Sequence, residues 1–125
     1  MKNQDIFLAG VGGQGILLAG EILCIVFMEA GLDVKKSEVH GMAQRGGAVQ
    51  SNLRYGDVEI WSDIIPTGKA DMVLSIEPLE VLRYRHYLRP GGWVVTSTTP
   101  YVNISDYPAT DDLMAELSEF ENIIM

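Results

Sequence analysis

Two short stretches hold most of the residues with chemical potential: Gly10-Val11-Gly12-Gly13-Gln14-Gly15, and His40 to Gly47, read as "HGMAQRGG". In the first, Gly10, Gly12 and Gly15 fit the pattern G-x-G-x-x-G between an apolar run and a helical one. Glycines there permit a tight turn, and the helix N-terminus offers unpaired N–H groups to a phosphate. A dinucleotide site also needs an acidic residue about 20 positions further on to hold a ribose. Glu38 is the sole candidate, 28 residues after Gly10 and preceded by Lys35 and Lys36. A nicotinamide or flavin site is therefore one reading. The other is that the glycines only let helix and sheet approach closely; Gly13-Gln14 is required by neither.

The second stretch supplies the His40 imidazole, the Gln44 amide, the Arg45 guanidinium and accessible backbone at Gly46 and Gly47. Its surroundings are locally basic, with Lys35, Lys36, Arg45 and Arg54 against Glu38. A phosphate, a carboxylate or a partner's loop suits such a set, and an anion is expected there first. His40 has no Asp, Ser or Cys at a spacing that builds a triad, so no catalytic residue is assigned. Cys24 falls inside an apolar helix and reads as core. His86, beside Arg83, Arg85 and Arg89, reads as a solvated helix residue. Glu77 either reaches the same site or serves as a carboxylate at a helix N-terminus, and the second is favoured.

The elements that must position these loops follow the rhythm of a βαβ protein. Ile6 to Ala9 predicts a buried strand running into the glycine turn, and "ILLAGEILCIVFMEAG" predicts a helix stopped by Gly31. A second strand over Asp33 to Val39 is expected to lie parallel beside the first. The loops after the two strands then share the sheet edge where open α/β folds place ligands. "AVQSNLRYGDVEIWS" predicts a hairpin turning at Tyr55-Gly56-Asp57. "DMVLSI" and "WVVTSTT" predict further strands, around a helix over "EPLEVLRYRHYLRPGG" stopped by Pro90-Gly91-Gly92. "ATDDLMAELSEF" predicts an acidic amphipathic helix. The expected fold is a single domain over residues 1–125, three-layer α/β/α, with a Rossmann-like, mostly parallel sheet and an inserted hairpin. Asn122 to Met125 read as the opening of one more strand, so a missing C-terminal piece is expected. The first helix is apolar nearly all round, which predicts either burial in the domain or cover by a partner or by that missing piece.

A content of 47% hydrophobic and 21% charged residues is that of an ordered globular protein, and 125 residues suffice for a core. The net charge of −8 is concentrated at the C-terminal end: Asp111, Asp112, Glu116, Glu119 and Glu121 carry five of those charges without a nearby Lys or Arg. The balance argues against a nucleic-acid footprint. One cysteine excludes an internal disulfide and a Cys-ligated cluster or zinc ribbon built from this chain alone, and sets a reduced cytoplasmic location as the expectation. The apolar run Ile16 to Met28, interrupted by Glu21, is too short to span a membrane.

Taken in order and spacing, "GVGGQGILLAGEIL", "SEVHGMAQRGGAVQSNLRYG" and "ADMVLSIEPLEVLRYRHYLRPGGWVV" resemble the gamma subunit or domain of the 2-oxoacid:ferredoxin oxidoreductases of the pyruvate, ketoisovalerate and indolepyruvate types. The likeness is closest to the small subunit of the indolepyruvate type, covers residue 5 to about 104, and is most specific in the second motif. The resemblance implies a subunit of a complex that oxidatively decarboxylates a 2-oxoacid to an acyl-CoA and reduces ferredoxin. Thiamine diphosphate, Mg and the iron–sulfur clusters are then expected on the catalytic alpha/beta and iron–sulfur partner subunits, with ferredoxin engaged through those partners. Gly10, Gly12, Gly13, Gln14 and Gly15, with His40, Gln44, Arg45, Gly46 and Gly47, are expected to form one edge that contacts those subunits and part of CoA. The competing reading is an autonomous dinucleotide-binding or regulatory domain.

Overall fold

The protein is described by a computed structural model covering residues 3–40, 47–102 and 105–125. The chain runs β1 (Asn3–Val11), α1 (Ile16–Glu29), β2 (Asp33–His40), β3 (Ala48–Gly56), β4 (Ala70–Ser75), α2 (Pro78–Arg83), a 3-10 turn (Arg85–Tyr87), β5 (Leu88–Thr96), α3 (Thr110–Leu117) and β6 (Asn122–Ile124). The strands form one sheet in the order β2-β3-β1-β4-β5-β6.

β1 sits in the interior because its side chains are apolar on both faces, as a doubly covered strand requires. Ile6 and Leu8 join Val49, Leu53 and Ile16 beneath α1. Phe7 and Ala9 point the other way, into a cluster with Ile65, Ala70 and Val73, where the Phe7 ring stacks on Tyr87 at 4.3 Å between centroids. Val81, Val94, Leu113 and Leu117 continue that second layer between α2, β5 and α3. Helices therefore cover both faces, and the expected three-layer arrangement is present.

The strand order corrects the expectation that β1 and β2 are parallel neighbours. β3 lies between them and is antiparallel to both, pairing Gly10 with Val49 and His40 with Val49 in its two registers. The reason is in the side chains: β2 carries Lys35, Lys36 and Glu38 and tolerates an edge, whereas Val49, Ser51, Asn52 and Leu53 of β3 are buried. The parallel part of the sheet is β1-β4-β5-β6.

The hairpin predicted at Tyr55-Gly56-Asp57 is also corrected, since the antiparallel pair is β2 with β3 and no strand follows Gly56 until Ala70. The segment after Gly56 crosses the end of the sheet with side chains, not a ladder, receiving its N–H groups. Ile60 N–H donates to Asp33 Oδ2 at 2.7 Å and Ile65 N–H to Asn52 Oδ1 at 3.1 Å. The hydrogen bond from Ile60 holds the Asp33 carboxyl below its ordinary pKa.

The helix predicted over "EPLEVLRYRHYLRPGG" is shorter than its composition suggests. α2 ends at Arg83, and β5 starts at Leu88, so Pro90-Gly91-Gly92 lie in a strand. Tyr84 and Tyr87 turn inward against Phe7, and Arg89, already on β5, reaches with its Nε to Asp71 Oδ1 at 2.7 Å. His86 is exposed, as expected, but on the 3-10 turn. Cys24 is half-buried, not fully core, and burial pushes its thiol pKa up.

The outer face of α1 stands open: Leu18, Ile22, Ile25, Val26 and Met28 are exposed, so core burial does not account for its apolar character. β6 pairs parallel with β5 as an edge strand. Among the described residues no helix is long and apolar enough to cross a membrane.

Candidate functional site

The premise of adjacent strands fails, yet its consequence for the site holds. β2 runs in the same direction as β1, because each is antiparallel to β3. The loop leaving β2 and the loop leaving β1 therefore emerge at the same end of the sheet, with β4 and β5 also ending there. The two loops touch: Gly12 N–H donates to the Gly47 carbonyl at 2.8 Å. Of the second stretch, Gln44, Arg45 and Gly46 lie outside the described residues, as does the side chain of His40.

Gln14 has a clear local task that explains its place among the glycines. Its Oε1 accepts the Val11 N–H at 2.8 Å, and its own N–H donates to the Val11 carbonyl at 3.1 Å. The side chain thus satisfies the last N–H of β1 where the sheet ladder ends. Gly13 and Gly15 take φ of 95° and 87°, the left-handed region where a Cβ is penalised. At Gly10 the constraint is space: a Cβ would lie 3.2 Å from Ile16 Cβ and 3.3 Å from Gln14 Oε1. Close packing of helix on strand is thus part of what the glycines do. Gly12 and Gln14 N–H groups are consumed inside the loop, whereas the N–H groups of the first turn of α1 have no acceptor within the helix.

Two depressions flank the loop. One is lined by Val11, Gly12, Gly13, Gly15, Ile16, Leu17 and Val49, the other by Gly12, Gly13, Gln14 and Tyr101. Tyr101 was not singled out in the sequence. It is brought there by Glu77, whose buried Oε1 accepts the Tyr101 N–H at 3.1 Å and the Tyr107 hydroxyl. Burial, with the Glu77 hydrogen bond, pushes the Tyr107 phenol pKa far above its ordinary value. Oε2 of Glu77 meanwhile caps α2, accepting from Leu79 N–H at 2.8 Å and Glu80 N–H at 3.2 Å. The preferred structural role of Glu77 is thus observed, with Pro78 in the first turn as position-specific preference expects.

The basic balance around β2 and β3 is largely spent within the protein. Lys35 pairs with Asp33 at 3.3 Å, Lys36 with Glu21 and with Glu38 at 2.7 Å, and Arg54 with Asp5 at 2.9 Å. The expectation of a general anion-attracting patch is corrected for those three residues. Glu38 fares poorly as a ribose ligand too, since it is tied to Lys36 and sits two strands from β1, about 9.5 Å by ordinary strand spacing. The dinucleotide reading loses its acidic partner. Among the described residues no group of three or more His, Cys, Asp or Glu is placed to hold a metal.

Glu80, one turn beyond the cap, is 1% exposed. Its Oε1 accepts from Arg83 Nε at 3.2 Å. Burial raises its pKa from an ordinary 4.5; Arg83 opposes that shift and Glu77 adds to it. The folded chain then holds a proton that the unfolded chain has released, so stability falls as pH rises from about 4.5 through the raised value. Glu80→Gln is expected to flatten that slope, read as the urea midpoint across the acid-to-neutral range.

The chain belongs to the pyruvate ferredoxin/flavodoxin oxidoreductase family, whose model matches residues 5–122. It is similar to the indolepyruvate oxidoreductase subunit IorB of Pyrococcus horikoshii, at 41% identity over 95% of this chain and 61% of that protein. The chain thus spans about 61% of the length of that relative. Among solved structures, the gamma subunit of a keto/oxoacid ferredoxin oxidoreductase from Geobacter sulfurreducens superposes with a TM-score of 0.59 at 27% identity, over 76% of this chain and 51% of that one. The 2-oxoglutarate:ferredoxin oxidoreductase of Magnetococcus marinus, solved with 2-oxoglutarate, coenzyme A and succinyl-CoA, shares the fold at a TM-score of 0.69. It does so with 18% identity over 98% of this chain and 19% of that one.

Proposed function

We propose that this chain works as the gamma-type component of a 2-oxoacid:ferredoxin oxidoreductase complex of the indolepyruvate type, in the cytoplasm. Its glycine edge meets the larger catalytic subunit and part of CoA. In the overall reaction the carboxyl group of the 2-oxoacid leaves as carbon dioxide, the acyl group passes to the CoA thiol and the electrons pass to ferredoxin. Thiamine diphosphate with Mg and the iron–sulfur clusters would supply that chemistry from the partner subunits. This chain would position and support. The observation that carries the reading is the Gly12-to-Gly47 hydrogen bond, which joins the family's two motif loops beside depressions lined by backbone and Tyr101.

Arg45 would supply the charge for a CoA phosphate. In the reconstituted complex, Arg45→Ala is expected to raise the KM for CoA about tenfold, the loss of one charge-assisted hydrogen bond of ~1.5 kcal/mol, with kcat little changed. Unchanged CoA affinity together with unchanged assembly, by native mass and steady-state kinetics, would overturn the assignment of this edge.

A further inference from the structure

At the end of the sheet opposite the glycine edge, the segment between β3 and β4 presents three apolar side chains to solvent within seven residues. Trp61 is 85% exposed, Ile64 52% and Val58 45%. Scattered exposed apolar residues are ordinary; a group presented on a restrained loop is not. Ile60 and Ile65 are buried on either side of the indole, each held by the side-chain hydrogen bond to β2 or β3 described above. Between them, Arg54 Nη1 donates to the carbonyls of Ser62 at 3.2 Å and Ile64 at 3.3 Å. The backbone is thus fastened on both sides of Trp61 while the ring itself touches water. Most of the ordering cost of an aromatic anchor has been met before anything binds.

The charge around the ring selects the partner. Glu59 and Asp63 flank Trp61 and are exposed, while Lys35 and Arg54, which line the adjoining concavities, are engaged with Asp33 and Asp5. Surface concavities open on both sides of Val58 and Glu59, giving the anchor relief into which a complementary surface can fit. An acidic rim repels nucleic acid and anionic lipid. It also disfavours a second copy of this chain, which would bring the same acids and a net charge of −8. What fits is a protein surface with an apolar socket rimmed by Lys or Arg.

We infer that the Val58–Ile64 loop is a docking anchor for the larger catalytic subunit, Trp61 entering an apolar socket whose basic rim meets Glu59 and Asp63. This rests on the function proposed above, and the loop is a second contact at the far end of the sheet from the glycine edge.

The test uses a Trp93→Phe background, so that Trp61 is the one remaining tryptophan, titrated with the purified catalytic subunit. The expected result is a blue shift of Trp61 emission, protection from acrylamide, and affinity that falls with added salt. Trp61→Ala should weaken binding about thirtyfold, as loss of a central hot spot does, without changing the chain's own melting temperature. Glu59→Lys with Asp63→Lys should weaken it as well. If the complex assembles with Trp61 still open to acrylamide and Trp61→Ala binds within about twofold of wild type, the docking inference falls and the proposed function stands. If no complex assembles with the catalytic subunit, both fall.

Discussion

Glu77→Ala is expected to destabilise the protein by about 4 kcal/mol, a large part of the roughly 5–15 kcal/mol that holds a domain folded. The carboxylate is 1% exposed and is the common acceptor for Leu79 N–H, Glu80 N–H, Tyr101 N–H and the Tyr107 hydroxyl. Truncation removes one side chain but strands three donors, since Glu80 N–H keeps the Glu77 backbone carbonyl at 3.1 Å, and each costs about 1–3 kcal/mol if buried and unpaired. Water entering the space left behind offsets part of that sum. Glu77→Gln keeps a carbonyl acceptor while losing the charge, so it should cost about half as much. Tyr107→Phe should cost about 1.5 kcal/mol, one bond to a charged group. The double mutant Glu77→Ala/Tyr107→Phe should cost less than the sum of its parts, since the second change then removes a donor already stranded. Urea midpoints at unchanged slope measure all of these. The same variant should disturb the glycine edge, because Tyr101, which lines one depression there, is tied down by Glu77. A loss below about 1 kcal/mol for Glu77→Ala would mean that the loop after β5 is held by something other than this carboxylate.

How far the sequence reveals this arrangement depends on the range of the forces involved. The continuous apolar runs of β1 and β4 are legible because burial on both faces leaves no polar side to disguise them. The start of α2 is legible for a local reason, a carboxylate followed by proline. Strand order is not local. Whether β2 or β3 lies next to β1 is decided by which of them can bear an edge, and the charges of "VKKSEVH" carry that information only once two competing neighbours are compared. The crossing segment after Gly56 alternates Val58 with Ile60 like a strand, but Asp33 and Asn52, 27 and 13 residues away from their partners Ile60 and Ile65, take its N–H groups. Of the site, the contact between the two motif loops follows from strand direction alone, so it survives the wrong strand order. Tyr101 does not follow from anything nearby, since its link to Glu77 bridges 24 residues. Trp61 illustrates the remaining gap: it falls in a run that reads as a strand, and the bonds that fasten the backbone on both sides of it come from distant Asp33, Asn52 and Arg54.

Those restraints make Arg54 the second position of large effect. Arg54→Met is expected to cost about 3 kcal/mol, near the lower end for breaking a buried ion pair by removing one partner. Asp5, 4% exposed, would keep the Asn3 side-chain donor at 3.3 Å but lose the guanidinium Nε at 2.9 Å. Among the described residues Arg89 does not replace it, being directed at Asp71, whose other oxygen takes the Asp5 backbone N–H at 2.8 Å. Asp5→Asn in the Arg54→Met background should restore about 2 kcal/mol by removing the stranded charge, and thermal melts of the four proteins give the coupling. The carbonyls of Ser62 and Ile64 lose their donor in the same substitution, so the indole next to them should gain motion. Trp61 fluorescence anisotropy in the Trp93→Phe background is expected to fall, and affinity for the catalytic subunit to fall with it although every group proposed to touch the partner is still present. Asp5→Asn repairs the charge but not the two carbonyl bonds, so it should restore the melt without restoring the anisotropy. Recovery of both together would show that the loop is held through overall stability; recovery of the melt alone assigns to Arg54 two separable tasks, neutralising Asp5 and presenting Trp61.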